Sequence, residues 1–202
     1  MIVESLGFES HYDVLLFDSL HDRSPDYTFS FPRIASEIDV LSFETYVPGA
    51  KNCLLEIITG NGNVWTGKFE RGPEGISGLY ATSAQNTVLV VVEGQGYWVP
   101  THEPASYKVV ATIPIKQVIR VPGRDIILLV DFVRMEAYGP DGFLWQTKQL
   151  SWDGLQITEV NSTTTRGLAW DSPANAYVEF RVDTSTGAAT GGSSPDHYAV
   201  TT

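Results

Sequence analysis

Two patterns of hydrophobic and polar positions recur along the chain. In one, Leu155 and Ile157 alternate with Gln156 and Thr158, and Val178, Phe180 and Val182 alternate with Glu179, Arg181 and Asp183. Successive side chains of a β-strand point to opposite faces, so this period predicts strands with one dry face and one wet face. In the other, "VLVVV" (88–92) and "IILLV" (126–130) are apolar at every position, which predicts central strands covered on both faces. Turn signals separate the apolar stretches at short intervals: "PGAKN" at 48, "GNGN" at 60, "RGPEG" at 71, "EGQG" at 93, "VPGRD" at 121, "GPDG" at 139 and "WDG" at 152. This punctuation is the hairpin signature. Helical spacing occurs only in "RIASEIDVL", through Ile34, Ile38 and Leu41, and the alternation of Leu41, Phe43, Thr45 and Val47 that follows limits it to one short turn or none.

These patterns predict an all-β chain. A single domain over residues 1–185 is expected, built of antiparallel meanders in a sandwich-like or partial-propeller arrangement, with a barrel as the alternative. From residue 186 the sequence "TGAATGGSSPDHYAVTT" loses apolar periodicity, which predicts a flexible tail. A weak internal repeat runs through the domain. "CLLEIITGNGNVWTGKFERGPEGI" and "ILLVDFVRMEAYGPDGFLWQTKQLSWDGL" share an order of apolar strand, Gly-rich turn, tryptophan, Lys-containing strand and acidic-Gly turn. Such a unit is similar to half a propeller blade, and "GPDGFLW" resembles the turn-then-tryptophan signature of quinoprotein-type repeats. A closed propeller needs at least about four blades, more than the two or three partial units seen.

Composition narrows the function classes. The 202 residues carry a net charge of -11 and a pI of about 4.6, with no basic run, which argues against nucleic acid held by phosphate contacts. The purely apolar runs fall far short of the roughly 20 residues of a spanning helix. "MIVESLGFES" lacks the basic, apolar and small-residue segments of a secretory signal. A cytoplasmic protein off the membrane is the expectation. One cysteine, Cys53, excludes an internal disulfide and a multi-cysteine zinc site; at the head of "CLLEII" it is expected to be a buried, inert thiol.

"DFVRMEAYGPDGFLWQTKQLSWDGLQI" (131–157) followed by "GLAWDSPANAYVEFRVDTSTG" (167–187) resembles a group of uncharacterised bacterial proteins carrying Y-G-x-D-G-x-x-W, S-W-D-G-L-x-I and W-D-x-P in that order. The resemblance covers about the C-terminal third of the chain. It implies a bacterial origin and a self-standing soluble domain, and no activity or catalytic residues.

Candidate chemistry concentrates in the same stretch. In "GPDG" and "WDG", Asp141 and Asp153 occupy positions that turns and two-residue hairpin loops favour for local reasons. A paired-carboxylate glycosidase would need such residues to meet across a cleft, with tryptophans as sugar platforms. The five tryptophans, Trp65, Trp98, Trp145, Trp152 and Trp170, either plug the ends of a sheet packing or form an exposed face for a sugar or a protein. In "HYDVLLFDSLHD", His11, Asp13, His21 and Asp22 are weak metal-ligand candidates that match no recognised spacing. His102 and Glu103 read as a surface loop, and there is no nucleophile elbow, phosphate loop or dinucleotide fingerprint. No cofactor is expected. The expected function is a binding or interaction protein using an aromatic and acidic surface formed by Trp145, Trp152, Asp141, Asp153, Trp170 and Asp171, with a basic protein partner suited to the acidic balance. The alternatives are a carbohydrate-active enzyme, with Asp141, Asp153 or Asp171 as acid and base, or a carbohydrate-binding domain; and a structural subunit of a homo-oligomer paired through sheet edges.

Overall fold

The computed structural model describes residues 1–17, 28–32 and 53–195. Strands and turns make up nearly all of it. The short helical segment expected at 33–41, the alternation at 41–47 and the turn at 48–52 lie outside the described residues. The chain divides into two compact units, Met1–Pro114 and Ile115–Thr202. Among the described residues, each unit closes its own hydrophobic core between its own two sheets, and no side chain belongs to both core clusters.

In the first unit the strands are β1 (Ile2–Glu4), β2 (Tyr12–Phe17), β3 (Thr28–Phe31), β4 (Cys53–Thr59), β5 (Val64–Phe69), β6 (Gly78–Ala81), β7 (Thr87–Val92), β8 (Gln95–Pro100) and β9 (Lys108–Val109). One sheet has the order β2-β4-β5-β3 and the other β1-β6-β7-β8-β9. Strands β6 to β9 form an up-and-down antiparallel meander of the kind that makes a propeller blade. Strands β1 and β3 depart from the expected meander by pairing in parallel with β6 and β5. The all-apolar run 88–92 lies in β7, buried at every position between β6 and β8. The Glu93-Gly94 turn that follows has φ of 46° and 82°, and positive values at both central positions match the right-handed twist of the flanking strands. Between the sheets, Phe31 stacks on Phe69 at 4.2 Å with Tyr97 and Tyr107 edge-on. A side chain at Gly67 would land 2.4 Å from the Phe69 ring, so this packing requires glycine.

The second unit contains β10 (Gln117–Arg120), β11 (Ile127–Val130), β12 (Met135–Gly139), β13 (Gly142–Gln146), β14 (Leu155–Val160), β15 (Thr164–Asp171), β16 (Ala176–Asp183) and β17 (Ala189–Gly191). They form two four-stranded meanders, β10 to β13 and β14 to β17. The second all-apolar run supplies β11, buried between β10 and β12. Pro140 and Asp141 form the two-residue loop of the β12–β13 hairpin, whose register closes at Gly139 and Gly142. The Asp153-Gly154 pair, expected at a hairpin corner, instead lies in the connection between the two sheets. Residues 186–195, expected in a flexible tail, instead supply β17, which pairs with β16, and the Gly192 and Ser193 N–H groups then donate to Glu179 and Leu150. Backbone hydrogen bonding holds this segment despite its low apolar content. None of these four sheets closes on itself as a barrel, and among the described residues no helix is long and apolar enough to cross a membrane.

The same clasp recurs in both units. The Trp65 indole N–H on β5 donates to the Thr101 carbonyl at 2.8 Å, and the Trp145 indole N–H on β13 donates to the Thr184 carbonyl at 3.2 Å. Thr101 and Thr184 each follow the third strand of a blade-like meander. Each is fully buried, and each returns its own N–H and hydroxyl to the loop between the first two strands, at Asn86 and at Ser162 and Thr163. A large aromatic side chain thus fills the space between two sheets while its one polar group finds a partner. Beside Thr184, the chain turns back over the Trp145 ring at Gly187 (φ 72°), where a Cβ would meet that ring at 2.6 Å.

Trp145→Ala is expected to destabilise the protein by about 3–5 kcal/mol, measured by denaturant titration; a loss under about 1 kcal/mol would show that the indole is not a core element. A second expectation concerns Asp183, whose carboxylate accepts the Ser185 N–H at 2.9 Å, the Thr186 N–H at 3.0 Å and the Thr186 hydroxyl at 3.1 Å. These bonds, that from Ser185 first, hold its pKa below the usual value. A depressed folded-state pKa gives stability that is present above the unfolded value of about 3.9 and is lost as pH falls through the folded one. Asp183→Asn is therefore expected to lower Tm at neutral pH, with variant and wild-type Tm converging as pH falls below about 4.

Candidate functional site

Register builds the candidate site. On β15 the residues Thr165, Gly167 and Ala169 face the core, so Arg166, Leu168 and Trp170 face outward. On β16 Phe180 and Val182 face the core, so Tyr177, Glu179 and Arg181 face outward. Antiparallel pairing sets Trp170 opposite Tyr177, Leu168 opposite Glu179 and Arg166 opposite Arg181. Glu159 on β14 and Thr190 on β17 extend the arginine row to both sides. The outer face of this sheet is thus a ladder with an aromatic rung, an apolar–acidic rung and a double-arginine rung.

At the aromatic end, the Trp170 and Tyr177 rings meet edge-to-face at 5.2 Å. Tyr177 is 46% exposed, and its hydroxyl reaches over the Asp153-Gly154 turn, 3.9 Å from where a Gly154 Cβ would stand. Ser151 fixes that turn: its buried hydroxyl lies 2.9 Å from the Gly154 carbonyl and accepts the Trp170 N–H at 2.9 Å. The Trp152 N–H donates to the Trp170 carbonyl. Half-buried Trp152 sends its indole N–H to Ser193 Oγ at 3.1 Å, tying the connection to the chain beyond β17.

At the other end of the ladder, a bulge in β14 lies between Ile157 and Glu159, and such a bulge re-aims side chains. Arg166 Nε is 3.9 Å from Glu159 Oε2, both side chains being about half exposed, and Arg181 donates to the Thr164 hydroxyl at 3.2 Å. An open groove of about 520 Å³ runs across this part of the face, within the range of small-ligand sites.

The structure divides the six sequence candidates. Trp152, Asp153, Trp170 and Asp171 come together at one end of the β14–β17 sheet. Asp171 is buried, and its carboxylate accepts the Ala174 N–H of its own hairpin turn at 3.4 Å. Trp145 is buried beneath the hairpin at the opposite end, 8% exposed. Asp141 is exposed in the β12–β13 turn. The connection carrying Asp153 bonds to Phe132 and Val133 at the other end of β12, so Asp141 and Asp153 are separated by a hairpin of about 13 Å, beyond the roughly 5–10 Å of a glycosidase carboxylate pair. His11 and Asp13 are exposed around β2, while His21 and Asp22 lie outside the described residues. Among the described residues no group of three His, Cys, Asp or Glu is placed to hold a metal ion. Cys53 is half-buried, and desolvation raises its pKa, which keeps the thiol protonated. His102 is exposed, its Nε2 at 3.1 Å from Asn86 Oδ1.

Tyr177, Arg166, Arg181 and Ser151 escaped the sequence reading. Alternation on β16 signalled that Arg181 faces water, but only the register shows what stands opposite it.

No protein-family model matches the chain, and no curated protein is detectably similar to it. Among solved structures it is similar to the N-terminal domain of Nup159, with a TM-score of 0.39 and 11% identity, over 98% of this chain and 56% of that one. The chain therefore spans about half the length of that neighbour.

Ser151→Ala is expected to lower stability by about 1 kcal/mol and to loosen the Gly154–Trp170 junction, read as faster amide exchange at Trp170 than in the wild type; unchanged exchange would show that Ser151 does not hold the turn.

Proposed function

We propose that this chain is a bacterial binding module that takes saccharide ligands on the outer face of the β14–β17 sheet, without catalysing their cleavage. The bacterial assignment rests on the motif resemblance. The observation that carries the binding reading is the Trp170–Tyr177 pair: two aromatic rings on a solvent-facing sheet surface, one of them 46% exposed, beside an open groove. Folding drives large aromatic side chains into cores, and Trp65 and Trp145 follow that rule. An aromatic pair held on the wet face by a buried serine and a fixed turn supplies apolar contact area with little side-chain entropy to lose on binding. Among the candidate carboxylates, Asp171 is occupied by its own turn and Asp141 stands a hairpin away from Asp153, which favours binding over hydrolysis. The net charge of -11 favours a basic protein as the second reading.

Thermal shift and calorimetry with a panel of neutral and charged oligosaccharides test the proposal. A saturable rise in Tm is expected, because a ligand that binds only the folded state stabilises it; Trp170→Ala and Tyr177→Ala should abolish that rise while retaining the β-sheet circular dichroism of the wild type. No response to any sugar, together with capture of a basic protein, would replace this reading with the second.

A further inference from the structure

We propose that the Arg166–Arg181 rung is a carboxylate-recognition site, and that the saccharide taken by this face is an acidic one, a uronic-acid oligosaccharide. This deepens the proposed function and rests on it.

Arg166 and Arg181 stand directly opposite one another on adjacent antiparallel strands and on the same face. Like charges at directly opposed positions destabilise a sheet, and hydrophobic patterning asks only for a polar residue there. The neighbours compensate in part: Glu159 lies 3.9 Å from Arg166 Nε, beyond hydrogen-bond length, and Arg181 donates to the neutral hydroxyl of Thr164. An anion seated between the two guanidinium groups would relieve the repulsion, and planar guanidinium groups match a carboxylate through paired N–H donors.

The surroundings select the kind of anion. Glu159 and Glu179 also line the groove. They would repel a ligand that presents only negative charge, such as inorganic phosphate or nucleic acid, but as carboxylates they accept hydrogen bonds from sugar hydroxyls. The Thr158 and Thr190 hydroxyls add further polar partners, and Leu168 offers apolar contact. A sugar acid supplies one carboxylate and several hydroxyls, which fits this alternation of charge. Trp170 lies four residues along β15 from Arg166, about 13 Å, so a short oligosaccharide could place a ring on the aromatic rung and a carboxylate on the arginine rung together.

The test is calorimetry with a de-esterified oligogalacturonate and with the same oligomer fully methyl-esterified, which removes the charge and keeps the sugar. The acid form is expected to bind about tenfold or more tightly than the ester, with an affinity that falls as salt rises. Arg166→Ala and Arg181→Ala should remove that preference, and Arg181→Lys, which retains charge without the planar fork, should restore only part of it. Unchanged thermal melts would show that these surface variants fold. Equal binding of acid and ester, with no effect of the arginine variants, would overturn this inference and leave the saccharide reading standing. Absence of binding by either oligomer and by the rest of the panel would remove both.

Discussion

In each unit one buried hydrogen bond, from a tryptophan indole to a threonine carbonyl, ties one sheet to the other. An unpaired N–H carried into the space between two sheets would cost about 1–3 kcal/mol. Trp65 and Trp145 avoid that cost: their rings fill the space between sheets, and their single donors reach Thr101 and Thr184. Each threonine is then locked by its own N–H and hydroxyl to the loop across the sheet. That lock fixes the end of the third strand in each blade-like meander.

Register makes the outer face. On the β14–β17 sheet the inward set, Ala169, Phe180 and Val182 among them, fixes which residues meet water. A slip of one residue would bury Arg166 and Arg181 and expose Phe180. The aromatic and arginine rungs are therefore held in place by the core beneath them, a rigid base that loops seldom give.

Much of this was legible in the sequence. The apolar runs at 88–92 and 126–130 marked β7 and β11 as central because no polar face was left to them, and the alternation at 178–183 marked β16 as half-wet. The two-residue turn at Pro140-Asp141 was legible from its dipeptide chemistry. What was not legible depended on pairing. The Asp153-Gly154 dipeptide looks like a hairpin corner, yet no strand lies on its N-terminal side to pair with β14. The segment after Thr186 looks too polar to be ordered, yet edge pairing needs backbone groups rather than apolar side chains. Trp145 and Trp152 looked alike, and only the packing sends one into the core and the other to the end of the sheet. The opposed arginines were invisible because nothing in "TTRGL" or "EFRVD" announces that the two meet.

The paired clasps carry a consequence for how the chain reaches this state. Trp65 and Thr101 are 36 positions apart, and Trp145 and Thr184 are 39. Each closing loop is short and neither spans the boundary at Pro114. Loop-closure entropy grows only slowly with length, but contacts local to a segment form sooner than those that must wait for distant chain. Each half can therefore close its own clasp without the other, and on a ribosome the first can shut around Trp65 before the residues of the second have been made.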